Sequence, residues 1–370
     1  MRDILFVVGE ASGDLHAGHV ADRIARQRPD IRMAGVGGGH MERAGVELIE
    51  HAERLAVMGF VEVLRHVPKH WMLLRRIEQR IAAGNVGLVI LLDYPGFNLK
   101  VAAVARRAGI PVLYYITPQV WAWGADRLPK IARLVTKAAC ILPFEEALLR
   151  QHGVDATFVG HPLLDRIATM PAAADARVQL GFSPDDEVLA VFPGSRRGEL
   201  SRHLEPFVAT ARELQQRRPG LKVVVSVAPT VRISAADCPF PLVHDASYTV
   251  LRAGTAGLLK SGTTTLEAAV AGLPHVIGYR TNPLTYAIAR RVVRIPHIGL
   301  VNVVAGHEVS KEFVQDAFVP RTVADALEPL LTTGSEARAR AVGALDGVRA
   351  KLGTPGAADR VVEMALGLLT

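Results

Sequence analysis

Short apolar runs, each closed by a turn and followed by residues at helical spacing, recur along the chain and constrain its fold more than any other feature. Ile4 to Val8 is the first, and Gly9-Glu10-Ala11-Ser12-Gly13-Asp14 turns it into an amphipathic segment from about Leu15 to Arg28. The succession returns at Ile31 to Val36, Gly87 to Leu92, Pro111 to Tyr115, Ala138 to Leu142 and Ala156 to Val159. After the small-residue stretch Thr169-Met170-Pro171-Ala172-Ala173-Ala174 it starts again, at Val188 to Phe192, Leu221 to Val227, Leu242 to His244, Ala256 to Leu259 and His275 to Tyr279. Strands alternating with helices predict an α/β chain of parallel sheets, and the restart predicts two of them. At 370 residues the chain is long enough for both. The expected boundaries are 1–168 and 169–345, with closing helices over 346–370.

Composition narrows the classes. No apolar run approaches the length of a membrane span, and Glu10 cuts short the apolar N-terminal stretch, which therefore does not read as a signal peptide. Two cysteines far apart, Cys140 and Cys238, are expected as buried thiols in a reducing compartment and exclude a cysteine zinc site. The net charge of +7 calls for anionic company: phosphorylated substrates, an acidic membrane surface or nucleic acid. Aromatics make up only 5% of the residues, so a base-stacking RNA platform is not expected, and a non-catalytic binder of nucleic acid or anionic lipid is supported by the basic charge alone. Glu62, His66 and His70 fall at helical spacing, but Pro68 is expected to break the helix between the histidines, and no metal site is assigned.

The first turn looks like a nucleotide loop until its residues are read. Its spacing is not Gly-x-Gly-x-x-Gly, and Glu10 and Asp14 sit where a pyrophosphate needs bare backbone N–H groups. Carboxylates at a strand-to-helix turn suit a site that accepts protons or sugar hydroxyls. Asp93 ends the strand Gly87 to Leu92 and is placed to meet Glu10, since ligands of open α/β sheets gather at the carboxyl ends of strands. The glycines of Gly35-Val36-Gly37-Gly38-Gly39 predict a close backbone approach.

The second half offers a different kind of loop. Ser261-Gly262-Thr263-Thr264 presents small hydroxyls and N–H groups at a helix start, the better phosphate site, and Gly194-Ser195-Arg196 supplies a cation from a matching turn. Glu267, one turn into the helix, is placed for two ribose hydroxyls, and Asn302 in the expected loop Leu300 to Gly306 joins the nucleotide group. Between the early strands, Met58, Phe60, Val61, Leu64 and Trp71 lie among Arg65, Lys69, Arg75 and Arg76, a pattern that suits a helix resting on a membrane or packing on the sheet. Trp121 and Trp123 either plug the sheet end or line a sugar pocket.

Two Rossmann-like domains facing across a cleft, with nucleotide in the second and acceptor in the first, make the GT-B glycosyltransferase architecture. No Asp-x-Asp holds a metal-bound nucleotide, and no Gly-x-x-x-x-Gly-Lys-Ser/Thr loop occurs. In order along the chain, Gly9-Glu10-Ala11-Ser12-Gly13-Asp14, Met58-Gly59-Phe60-Val61-Glu62-Val63, Asp93-Tyr94-Pro95-Gly96-Phe97-Asn98, Gln119-Val120-Trp121-Ala122-Trp123, Pro143-Phe144-Glu145, Gly160-His161-Pro162, Pro193-Gly194-Ser195-Arg196 and Ser261 to Glu267 resemble the lipid-A-disaccharide synthase family.

The resemblance implies an inverting, cofactor-free transfer of 2,3-diacylglucosamine from its UDP derivative to 2,3-diacylglucosamine 1-phosphate (lipid X), giving the β-1,6-linked disaccharide 1-phosphate and UDP. It implies a cytoplasmic protein held peripherally at the anionic inner-membrane surface and is compatible with a homodimer. Glu10, Asp93 and Asp14 become the catalytic carboxylates, with Glu10 or Asp93 as the base and Asp14 orienting the loop; Ser12 and Gly13 join the acceptor side. Many members of the family carry a second carboxylate where this chain has Gly96. The rival reading is another GT-B enzyme using UDP-N-acetylglucosamine, a transferase or 2-epimerase, which would share the nucleotide loops but has no need of the apolar segment.

Overall fold

The computed structural model describes residues 2–52, 60–292 and 295–369. These form two units, Met1–Pro162 with Gly353–Thr370, and Leu163–Leu352. Among the described residues the first holds seven strands: β1 (Asp3–Val8), β2 (Met33–Gly37), β3 (Glu47–His51), β4 (Val86–Leu92), β5 (Val112–Tyr115), β6 (Lys137–Cys140) and β7 (Ala156–Phe158). All pair in parallel, in the order β3-β2-β1-β4-β5-β6-β7. Side-chain alternation decides what covers each face. Leu5, Val7, Val89, Leu91, Val112 and Tyr114 pack with Leu73, Ile77 and Ile81 of the helix Phe60–Ala82 and with the helix Pro95–Arg107. Ile4, Phe6, Val8, Leu88, Ile90 and Leu92 point the other way, onto Ala17, Val20 and Ile24 of the helix Ala11–Gln27 and Val361, Val362 and Ala365 of the last helix, Ala357–Leu368. Each large side chain fully buried in these layers contributes roughly 1.5–3 kcal/mol.

The second unit repeats the plan with β8 (Val188–Phe192), β9 (Lys222–Val227), β10 (Leu242–His244), β11 (Ala256–Lys260), β12 (His275–Tyr279) and β13 (Glu312–Val314), ordered β10-β9-β8-β11-β12-β13 and again parallel. Both sheets reverse their winding beside their first strand, between β1 and β4 and between β8 and β11. The crevice at such a reversal is where open α/β sheets take their ligands. Both cysteines are buried, as expected.

Four expectations change. The last helix packs on the first sheet, where Arg23 pairs with Asp359 at 2.6 Å, whereas the helix Glu336–Lys351 stays with the second unit. The segment 346–370 is therefore divided, because the apolar stripe of the final helix completes a face that the helix Ala11–Gln27 leaves partly open. The small-residue stretch 169–174 lies inside the second unit, and the division falls after Pro162. Pro68 does not break its helix, which runs unbroken from Phe60 to Ala82; within twenty-three residues a proline removes one N–H donor while the buried Leu73, Ile77 and Ile81 anchor the rest. Leu300 to Gly306 is a short helix, Leu300–Ala305, ended by Gly306 at φ +82°.

Candidate active site

The loops after β1 and β4 leave adjacent strands whose last residues, Val8 and Leu92, are paired in register. Glu10 takes the N-cap position of the helix Ala11–Gln27, yet its side chain makes no capping bond and remains exposed. Asp93 and Tyr94 both adopt left-handed backbone, φ +44° and +49°, which costs on the order of 1–3 kcal/mol each for residues with a side chain. Their surroundings fasten the turn. Asn98, fully buried, donates to the carbonyls of Asp93 at 2.7 Å, Leu92 at 3.0 Å and Val7 at 3.4 Å, clipping the ends of both strands together. The Tyr114 hydroxyl donates to the Asp93 carbonyl at 2.6 Å. The Tyr94 hydroxyl is hydrogen-bonded to the His70 ring, and His70, Tyr94 and Phe97 form an aromatic cluster that ties the helix Phe60–Ala82 to this turn.

Burial raises the Asp93 carboxyl above the ordinary aspartate value, and the negative charge of Glu10 raises it further. Glu10 and Asp93 are thus brought together, as their strand-end positions predict. Asp14 is not with them. Its buried carboxylate accepts from the N–H groups of Gly38 at 2.7 Å, His40 at 2.9 Å and Met41 at 3.2 Å, capping the neighbouring helix Gly39–Arg43. That is the close approach demanded by the glycines: a Cβ at Gly38 would stand 2.8 Å from Asp14 Oδ2. So engaged, Asp14 has the geometry of a positioning residue. Gly13 is buried against Val8, where a Cβ would stand 2.6 Å from Val8 Cγ1, and Ser12 is exposed.

Trp121 plugs the sheet end. Its indole N–H donates to Glu145 at 3.0 Å and its ring meets Phe144 edge-on at 5.2 Å. Glu145 is buried, which pushes its carboxyl up to about 7 against the pull of the Trp121 and Leu142 N–H groups. Trp123 is exposed, with the Arg127 guanidinium 4.7 Å above its ring. Met58 lies outside the described residues, as do the side chains of Phe60, Val61 and Leu64. Trp71 and Met72 are both about half exposed, at 53% and 54%, and Arg75 stacks 3.9 Å over the Trp71 ring.

In the second unit the loops after β8 and β11 meet at the other reversal. Gly194 has φ +130°, Ser195 and Arg196 are exposed, and Arg196 leads into the helix Arg197–Arg217. Thr263 is the exposed N-cap of the helix Thr264–Ala271, and Thr264 is partly buried. The Ser261 hydroxyl donates to the Ile298 carbonyl at 2.6 Å. Glu267 lies 3.5 Å from the Tyr248 hydroxyl; burial raises its carboxyl, and the nearby Arg166 charge opposes that rise.

Asn302 requires a correction. Its buried amide donates to the Ser310 carbonyl at 2.7 Å and to Glu312 at 2.8 Å and accepts from Val309 N at 2.8 Å and Ser310 N at 2.9 Å, so no donor or acceptor is left over for a nucleotide. Glu312, which also accepts from Gly299 N at 2.9 Å, braces the same turn. Sequence reading missed Glu312 and Tyr248, whose partners lie 10 or more residues away along the chain.

Residues 4–352 match the family described as lipid-A-disaccharide synthetase. The chain belongs to this family. Lipid-A-disaccharide synthase from Geobacter metallireducens is 38% identical over 375 residues, covering 100% of this chain and 97% of that protein. The enzyme of the same name from Syntrophotalea carbinolica is 40% identical over 372 residues, covering 98% and 94%. Among solved structures, the UDP-GlcNAc 2-epimerase of Neisseria meningitidis bound to UDP-GlcNAc aligns with a TM-score of 0.66 at 12% identity, covering 99% of this chain and 100% of that one. The glycotransferase of kitacinnamycin aligns at 0.67 and 15%, covering 100% and 99%. At such identities these two speak for the GT-B fold alone. The synthase family makes the chain a glycosyltransferase of lipid A assembly, and two of the stretches that carry the resemblance, Gly9 to Asp14 and Asp93 to Asn98, are the loops that flank the first reversal. Among the described residues no helix is long and apolar enough to cross a membrane, and no cluster of three metal-ligating side chains occurs.

Proposed function

We propose that the chain carries out its family's reaction as an inverting transferase, moving 2,3-diacylglucosamine from UDP to the 6-hydroxyl of lipid X. In this reading Asp93, with Glu10 beside it, takes the proton of the acceptor hydroxyl as that oxygen bonds to the anomeric carbon. The bond from that carbon to the diphosphate breaks, and its electron pair leaves with UDP. Arg196 and the N-terminus of the helix Thr264–Ala271 stabilise the departing charge, and Glu267 takes the ribose hydroxyls. The observation that carries the assignment is the pairing of Glu10 with a desolvated Asp93 at the reversal of the first sheet. UDP release by Asp93→Asn and Glu10→Gln tests it: Asp93→Asn should lose at least a hundredfold in kcat, and near-normal turnover in both variants would sink the base assignment.

The substrates set where the enzyme works. An acyl chain of roughly ten methylenes carries about 8 kcal/mol of transfer energy, so drawing several into water is prohibitive and the reaction belongs at a membrane surface. The exposed Trp71 and Met72 with the stacked Arg75 support the helix Phe60–Ala82 as the element that dips into an anionic inner-membrane leaflet. Flotation with anionic vesicles should be weakened by Trp71→Asp with Met72→Asp and by high salt; unchanged partitioning rules this helix out.

A further inference from the structure

One ion pair in the second unit has no part in the reaction as described. Lys260, the last residue of β11, places its ammonium 2.9 Å from the Glu199 carboxylate, with only 17% and 16% of the two side chains exposed. Glu199 also accepts the Ser195 N–H at 3.1 Å and lies 3.7 Å from the Arg196 guanidinium. One carboxylate therefore draws together the cation bordering the Ser261-Gly262-Thr263 loop and the donors of the Gly194-Ser195-Arg196 loop. Neighbouring strands hold the two loops at this spacing, Leu259 of β11 being paired with Phe192 of β8. Gly194 passes directly over the pair: a Cβ there would stand 2.9 Å from Glu199 Cβ and 3.0 Å from its Oε2. On the other side a Cβ at Gly262 would stand 3.4 Å from Lys260 Nζ.

A capping contact accounts for part of this. Glu199 is the third residue of the helix Arg197–Arg217, a position from which a glutamate reaches back to an N–H before the helix. Capping needs no lysine. The rest of β11, Ala256 to Leu259, is buried, and a charge at its end is costly unless something anionic meets it. An ammonium, a guanidinium and a backbone N–H converging on one anionic oxygen pair are the donors that a phosphate group requires.

We propose that Lys260 is a diphosphate-binding residue and that Glu199 occupies its place in the free protein: a bound nucleoside diphosphate takes over the Lys260 ammonium and the Ser195 N–H from the Glu199 carboxylate. The inference rests on the reading of these two loops as the UDP site. It follows that the Glu199 charge opposes nucleotide binding while keeping Lys260 pre-oriented.

Calorimetric titration with UDP and with uridine, on wild type, Glu199→Gln, Lys260→Met and the double variant, tests it. Glu199→Gln should bind UDP about fivefold more tightly. Adding Lys260→Met to Glu199→Gln should weaken UDP about tenfold or more without leaving a buried charge unpaired, and uridine, which has no phosphate, should be unaffected throughout. A wild type that binds no UDP overturns the reading of the loops themselves. UDP affinity that ignores Lys260→Met, or weakening for uridine as much as for UDP, overturns this inference alone, and so does a Glu199→Gln variant that binds UDP no more tightly than wild type.

Discussion

The ring of Tyr94 occupies the space that a side chain on residue 9 would need, since a Cβ on Gly9 would stand 2.2 Å from Tyr94 Cγ. The turn carrying Glu10 and the turn carrying Asp93 pack directly against each other at this contact. Gly9→Ala should cost about 1–3 kcal/mol through overpacking and displace Asp93, whereas Gly96→Ala, with nothing within 4 Å of its Cβ, should be near neutral. Thermal unfolding and UDP release on the two variants check this; a Gly9→Ala enzyme with wild-type melting and turnover would show that the contact constrains nothing.

The same open space bears on the second carboxylate that the family resemblance leads one to expect at residue 96. Gly96 is exposed on the first turn of the helix Pro95–Arg107, so Gly96→Asp should fold as the wild type does. With a second acceptor of protons on the loop, Gly96→Asp should restore at least tenfold of the activity lost in Asp93→Asn. Absence of any rescue in the double variant counts against a proton-accepting role for this loop.

Activity should also report the coupling of Glu10 to Asp93. A base must be ionised, so turnover falls as pH drops through the Asp93 pKa, which burial and then Glu10 hold above the ordinary value. Glu10→Gln removes the second cause and should move the acid limb of the kcat/KM profile to lower pH. An acid limb that stays in place argues that some other group limits the rate.

Stability has its own titration in Glu145. The unfolded carboxyl loses its proton near 4.5, while burial keeps it protonated to about 7 in the fold. Between these values the folded state binds more protons, so stability should fall as pH rises from 4.5 to about 7 and level off above, each unit of separation being worth about 1.4 kcal/mol. Glu145→Gln keeps an acceptor for Trp121 and should flatten this decline in denaturant melts taken across the window. An identical pH slope in the variant would remove Glu145 as its source.

Asn302 separates support from binding. Asn302→Ala strands the buried Ser310 carbonyl and the Val309 and Ser310 N–H groups, and each costs about 1–3 kcal/mol when left unpaired. Melting should drop sharply while the folded fraction keeps its UDP affinity within about threefold. A large loss of affinity at unchanged stability would return Asn302 to the nucleotide site.

The sites were legible in unequal measure. Glu10 and Asp93 could be brought together from the sequence because each follows a fully apolar run, and parallel strands deliver their carboxyl ends to one edge. The strands Glu47–His51 and Glu312–Val314 escaped notice because their apolar runs, Leu48-Ile49 and Phe313-Val314, are only two residues long and follow directly on Glu47 and Glu312. Asn302 read as a nucleotide-binding side chain because a polar residue in an expected loop carries the same signature whether it awaits a substrate or satisfies backbone.

The sequence by itself determined the class of fold, the two strand-end loops of each sheet and the family, since periodicity and local motifs are written in neighbouring residues. Only the tertiary structure decided which polar groups are engaged within the protein itself. Asp14 is held by Gly38, Asn302 by Ser310 and Lys260 by Glu199, partners found 24, 8 and 61 residues away. Hydrogen bonds and ion pairs are settled at about 3 Å, and packing of the whole chain alone sets which groups come within that reach.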